Sequence, residues 1–107
     1  MLVQKFGGSS LADIDGFIAG AKIISNAAHD EQVVVVLSAM YGVTDLLESA
    51  KKTAIEGGDF KAVLESINEK EQGILDEMQA AGFGCPLAGD FLQVQLERLE
   101  TRLAGVA

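Results

Sequence analysis

The 107-residue sequence predicts an α/β fold in which a strand–helix–strand unit is followed by about three helices. Two short segments, Leu2–Phe6 and the aliphatic Val33–Leu37, are predicted to be β-strands. The segment between them carries apolar residues at helical spacing. Strand, helix and strand over about 35 residues form a βαβ unit, so we expect the two strands to be parallel.

The first helix is predicted to begin near Ser10 and to end between Asn26 and His29. Ser10 and Asp13 match the capping-box pattern, in which each side chain caps a backbone N–H at the start of a helix.

The second strand predicts a sheet that this chain does not complete. Val33–Leu37 is continuously aliphatic, which is typical of a strand buried on both faces of a parallel sheet. Sheets of this kind usually have about five or six strands, and the sequence offers two. We therefore expect the front portion of a larger α/β domain with an incomplete sheet, or else a protomer that completes its sheet with another chain.

The remainder of the sequence predicts three helices. The first starts near Val43 and stops at Gly57-Gly58. Asp59 can cap the second, whose apolar residues continue to Met78, and the third covers roughly Leu87 to Ala104.

The amino-acid composition indicates which partners the protein can bind and which cellular compartment it occupies. The chain has 8 basic and 16 acidic residues, a formal net charge of −8, which argues against nucleic acid as a partner. No apolar run is long enough to span a membrane, and no secretory signal pattern opens the chain. Cys85 is the single cysteine and cannot form an internal disulfide, as expected in a reducing compartment. We therefore expect a cytoplasmic protein without a membrane partner.

The turn after the first strand has the residues of a phosphate site. Lys5 supplies a cation near the end of the strand, and Gly7, Gly8 and Ser9 follow it. Glycines let backbone N–H groups turn toward an anion, and a helix N-terminus adds partial positive charge. Parallel strands end at the same sheet edge, where ligands of α/β folds bind, so we expect Ser38 to lie beside this turn.

Two motifs resemble those of the aspartate kinase family. Lys5-Phe6-Gly7-Gly8-Ser9-Ser10 is similar to the family's Lys-Phe-Gly-Gly-Thr/Ser-Ser signature. The segment from Val36 to Leu47 is similar to its Leu-Ser-Ala…Thr-(Asp/Asn)-Leu-Leu segment. The order and spacing of the pair make the resemblance specific, whereas the helical part fits in layout only.

The resemblance implies the three-layer α/β/α amino-acid-kinase fold and transfer of the ATP γ-phosphate to the side-chain carboxylate of L-aspartate. That reaction gives 4-phospho-L-aspartate for lysine, threonine and methionine synthesis. Lys5 would be the catalytic residue, and would bind phosphate together with Gly7, Gly8 and Ser9. Ser38 and Thr44 would bind aspartate. The resemblance implies ATP with Mg²⁺ as the cofactor, and we assign no residue of this chain as a metal ligand. It also implies that the protein forms a homo-oligomer.

The family's later Gly-Glu motif and its Gly-Arg-Gly-Gly-Ser-Asp-type loop do not occur in these residues. We therefore interpret residues 1–107 as the N-terminal segment of a kinase catalytic domain, and we expect this segment to be inactive alone. The parent protein can be an aspartokinase or a bifunctional aspartokinase/homoserine dehydrogenase. Other interpretations stay open. The Ser38 hydroxyl can bond to backbone at a strand end, and Thr44 can be a helix N-cap. The whole chain can be a non-catalytic, self-assembling or complementing module, or a related amino-acid kinase with another carboxylate substrate.

Overall fold

The computed structural model describes residues 1–106, except for the Pro86 side chain. These residues form two compact units, Met1–Gly42 and a second unit that begins at Val43. The elements, in chain order, are β1 (Leu2–Phe6), a 3₁₀ turn (Gly8–Leu11), α1 (Ile14–Ala28), β2 (Val33–Leu37), α2 (Val43–Ile55), α3 (Phe60–Ala80) and α4 (Pro86–Val106).

The first unit is a βαβ unit, as the sequence predicts. β1 and β2 are parallel, with Leu2 opposite Val33 and Phe6 opposite Leu37. α1 packs on both strands. Gly20 of α1 is buried, and a Cβ built on it would lie 3.5 Å from the Phe6 ring, so the helix comes close to the sheet at this point. The α/β class and the incomplete, two-stranded sheet are thus confirmed.

The predicted start of the first helix is wrong. The residues after the glycines form a 3₁₀ turn, and α1 begins only at Ile14. Asp13 alone is its N-cap: the carboxylate accepts a hydrogen bond from the N–H of Gly16 at 2.9 Å, and Ser10 takes no part in a capping box. The N-terminal end of α1 therefore does not directly follow the Gly-Gly turn.

The prediction that β2 is buried on both faces is also wrong for this chain. Exposure alternates along β1 and along β2 as far as Val36, because α1 covers one face of the sheet, and Leu37 at the end of β2 is exposed as well. On the opposite face, Val3 is 60% exposed, Val34 43% and Val36 45%. The aliphatic composition of β2 thus suits a covering layer, which this sheet face lacks among residues 1–106.

In the second unit α3 packs against both α2 and α4, and α2 also contacts α4. Asp59 caps α3 through a 3.3 Å hydrogen bond from the N–H of Ala62, and Gly57 follows α2 with a positive φ of 75°. The three predicted helices are confirmed. Burial of each large aliphatic side chain stabilises a unit of this kind by about 1.5–3 kcal/mol. Its buried apolar residues are Val43, Ala50, Ala54, Phe60, Leu64, Ile67, Leu92 and Leu103.

Among residues 1–106, no helix is both long and apolar enough to cross a lipid bilayer.

Candidate functional site

The two loops that leave the carboxyl edge of the sheet touch each other. The N–H of Ser38 donates to the carbonyl oxygen of Phe6 at 3.0 Å, which extends the strand pairing past the end of β2. Gly7 then passes so close to Ser38 that a Cβ on Gly7 would collide with Ser38 Oγ and lie 3.2 Å from Ser38 Cβ. Gly7 is extended (φ −170°), so close approach, and not backbone conformation, requires a glycine here.

Gly8 is required for a different reason. Its φ of +55° is in the left-handed region that side chains with a Cβ rarely adopt. A Cβ at Gly8 would meet nothing within 4 Å, so the space beside the turn is open. Within residues 1–106, no acceptor takes a hydrogen bond from the N–H of Gly8 or Ser9. Two unused donors beside open space are what an anion needs from a backbone turn.

Lys5 lies in β1, opposite Val36 of β2, with its side chain exposed. It is on the sheet face that α1 leaves uncovered. Of the described carboxylates, none lies within ion-pairing distance of Lys5. The ammonium group is therefore not neutralised within the part of the chain that the structure describes, and a phosphate could use its charge.

The two hydroxyls predicted to bind aspartate lie in different units. Ser38 is exposed in the first unit, and its hydroxyl donates to the carbonyl of Ala39 at 3.3 Å, which is the backbone bond that the sequence left open. Thr44 is exposed in the second unit, one residue after α2 begins at Val43. The alternative that Thr44 caps this helix is wrong, because Thr44 lies inside its first turn.

A third connection joins the same two loops farther from the strands. The N–H of Tyr41 donates to the carbonyl oxygen of Leu11 at 3.1 Å, and the Leu11 side chain is buried. Sequence reasoning missed both residues. No residue pattern identifies them, because the bond joins two backbone groups and the Tyr41 side chain is 60% exposed.

The described residues bring no three His, Cys, Asp or Glu side chains together as a metal site. Mg²⁺ commonly takes only one or two protein carboxylates and otherwise binds waters and substrate phosphates.

Grooves occur on α3 and α4, outside the first unit. One, of about 200 Å³, lies between the two helices, where Lys61 pairs with Glu100 at 3.4 Å and Gln93 donates to Asn68 at 2.8 Å. None of the residues predicted to bind phosphate or substrate lines it. The candidate site is instead an open surface at the sheet edge.

One carboxyl group in the helical unit has an unusual environment. Glu71 follows the buried residues Leu64 and Ile67 along α3 at helical spacing, and partial burial raises the pKa of its carboxyl group. The cause is desolvation, which disfavours the charged form.

Comparison with known proteins identifies the family. Residues 1–101 match the sequence profile of the amino acid kinase family. The chain belongs to the amino acid kinase family. It is 50% identical over 48 residues to an aspartokinase of Rickettsia felis (strain ATCC VR-1525 / URRWXCal2), and 48% identical over 48 residues to an aspartokinase of Rickettsia conorii (strain ATCC VR-613 / Malish 7). Each alignment covers 44% of this chain and 12% of the relative. The resemblance to aspartate kinase is thereby confirmed.

Proposed function

We propose that residues 1–107 are the N-terminal segment of an aspartate kinase, contributing part of its phosphate site and part of its aspartate site. The reaction is transfer of the γ-phosphoryl group of ATP to the side-chain carboxylate of L-aspartate. A carboxylate oxygen forms a bond to the γ-phosphorus as the bond to the ADP oxygen breaks. The products are 4-phospho-L-aspartate and ADP.

The contact of Gly7 with Ser38 is the observation that carries this proposal. It joins a turn with free N–H donors to the loop that carries the second motif. Phosphoryl transfer requires mainly positioning of the reactants and stabilisation of charge. A contact that fixes the two loops against each other would supply part of that positioning.

On the phosphate side, the N–H groups of Gly8 and Ser9 would donate to phosphoryl oxygens, and Gly7 would let the turn lie against the second loop. Lys5 would offset the negative charge that develops in the transition state. Mg²⁺, when bound with ATP, would neutralise phosphate charge. The described residues form no group of three candidate metal ligands, and we assign the ion no ligand in this chain.

On the aspartate side, Ser38 and Thr44 would donate hydroxyl hydrogen bonds to the amino-acid substrate. The Ser38 hydroxyl is held only by the 3.3 Å bond to Ala39, so it can turn toward a substrate at small cost. Thr44 is proposed on the motif that it shares with the family.

Residues 1–107 lack both later motifs of the family, so we expect no aspartate-dependent turnover by this chain alone. A chimera tests the proposal: residues 1–101 of this chain, which match the family profile, replace the corresponding residues of the Rickettsia felis aspartokinase. We expect ATP consumption with aspartate and not with glutamate, abolished by Lys5→Ala. A stable, correctly folded chimera without aspartate kinase activity would contradict the proposal, and activity with glutamate would favour the related kinase.

A second candidate function is a non-catalytic assembly module, and the exposed valines favour it. Val3, Val34 and Val36 lie on the exposed face of the sheet, and within residues 1–106 β1 and β2 each have one edge that no other strand pairs with. Such edges and faces associate with other chains. Sedimentation velocity would distinguish this candidate, since it requires oligomers of the isolated chain at micromolar concentration.

A further inference from the structure

The loop after β1 and the loop after β2 are connected three times within the first unit. The N–H of Ser38 donates to the Phe6 carbonyl at 3.0 Å, Gly7 lies against Ser38, and the N–H of Tyr41 donates to the Leu11 carbonyl at 3.1 Å. The first two connections lie at the strand ends. The third lies beyond the turn formed by Gly7, Gly8 and Ser9, which we call the phosphate turn. This turn is therefore held at both ends.

The side chains of the turn contribute little to holding it in place. At its start, the N–H of Ser10 donates to the carbonyl of Gly7 at 3.2 Å. The side chains of Ser9 and Ser10 are exposed, and Gly8 has no neighbour at its Cβ position. On its far side the chain is fixed by the buried Leu11 side chain.

We propose that the Tyr41 N–H and the Leu11 carbonyl are positioning groups, which hold the phosphate turn and the loop carrying Ser38 as one coupled unit. This inference rests on the proposed function, since it gives that site its geometry. The Tyr41–Leu11 bond fixes the end of the 3₁₀ turn relative to the second loop, and the Gly7–Ser38 contact fixes its beginning. Anion binding at Gly8 and Ser9 therefore stiffens the Ser38 loop, and loss of the bond releases the turn.

Two variants of Tyr41 isolate the bond. Tyr41→Pro removes the N–H donor, whereas Tyr41→Ala removes the side chain and keeps the donor. The side chain is 60% exposed, so Tyr41→Ala is a matched control. In amide NMR spectra of the full chain without ligand, we expect Tyr41→Pro to shift the resonances of Gly7, Gly8 and Ser9, and Tyr41→Ala to leave them in place. Equal spectra of the two variants at these amides would overturn the inference.

Tripolyphosphate, a probe of the phosphate turn, separates the two proposals. We expect Tyr41→Pro to bind it about two- to tenfold more weakly than Tyr41→Ala, the range that one ordinary hydrogen bond allows. A wild-type chain that binds no tripolyphosphate would refute the phosphate site in the proposed function, while the comparison of ligand-free spectra still decides the coupling of the loops.

Hydrogen exchange keeps the inference testable if Tyr41→Pro does not fold. In the wild-type chain, the amides of Tyr41 and Ser10 belong to the same coupled unit, so they should exchange with equal protection. Protection of Ser10 without protection of Tyr41 would overturn the inference.

Discussion

Replacing Gly7 by alanine tests the contact on which the candidate site depends. The added methyl group would collide with Ser38 Oγ and lie 3.2 Å from Ser38 Cβ. Because φ at Gly7 is −170°, the backbone accepts alanine without strain, and any effect comes from the crowding of the two loops.

The expected destabilisation is small. Overpacking costs about 1–3 kcal/mol. Ser38 is exposed and its hydroxyl can rotate away, which removes one collision but not the contact with Ser38 Cβ. We therefore expect the lower end, about 1 kcal/mol, and for a urea dependence of about 2 kcal/mol/M a midpoint lowered by roughly 0.5 M.

Tyrosine fluorescence can follow this transition in the first unit alone, because Tyr41 is the single tyrosine of the chain and there is no tryptophan. Adding Ser38→Gly to Gly7→Ala removes the opposing side chain and should restore about 1 kcal/mol, measured as coupling in a double-mutant cycle. Gly73→Ala is the control, since its methyl would meet nothing within 4 Å and lies in α3. An unchanged midpoint for Gly7→Ala, or no coupling to Ser38→Gly, would refute the contact.

Three further changes test the fold and its surfaces. Asp13→Ala removes the N-cap of α1 and should lower the stability of the first unit by about 1 kcal/mol in urea unfolding, whereas Asp13→Asn should cost little. Burial raises the pKa of Glu71, so its ionised form opposes folding and this cost appears as pH rises above the ordinary value of 4.5. Glu71→Gln should therefore be more stable than wild type at pH 7 and equal to it below the ordinary pKa, unlike the exposed control Glu69→Gln, and equal unfolding midpoints for the two variants at pH 7 would contradict this. Val34→Lys should reduce any self-association in sedimentation velocity if the uncovered sheet face mediates it, and unchanged oligomers would exclude that face.

The sequence predicts most of the element order because its local signals agree. Five aliphatic residues define β2, Gly57 stops α2 with a positive φ, and Asp59 caps α3. Each signal acts through neighbouring residues, so no tertiary information is needed to interpret it.

The errors occur where tertiary structure decides. Ser10 and Asp13 have capping-box spacing, but the 3₁₀ turn delays the helix and leaves Asp13 as the cap. Burial of β2 depends on which layers are present, and the run of valines cannot reveal that one face lacks a cover.

The candidate site could be predicted in part. Residue types and parallel topology bring Gly7 and Ser38 to the same sheet edge, and the close contact agrees with that reasoning. The backbone bond from Tyr41 to Leu11 has no side-chain signature, so a sequence cannot show it. The roles in ligand binding stay predictions for all six residues: Lys5, Gly7, Gly8, Ser9, Ser38 and Thr44.

A titration of the 107-residue chain with ATP, followed by amide NMR, tests the central claim most directly. We predict saturable shifts of the Gly7, Gly8 and Ser9 resonances, and weaker binding when Lys5→Met removes the charge but keeps most of the side-chain length. Absence of saturable shifts, or shifts confined to the groove between α3 and α4, would contradict the claim that this turn binds the phosphates of ATP.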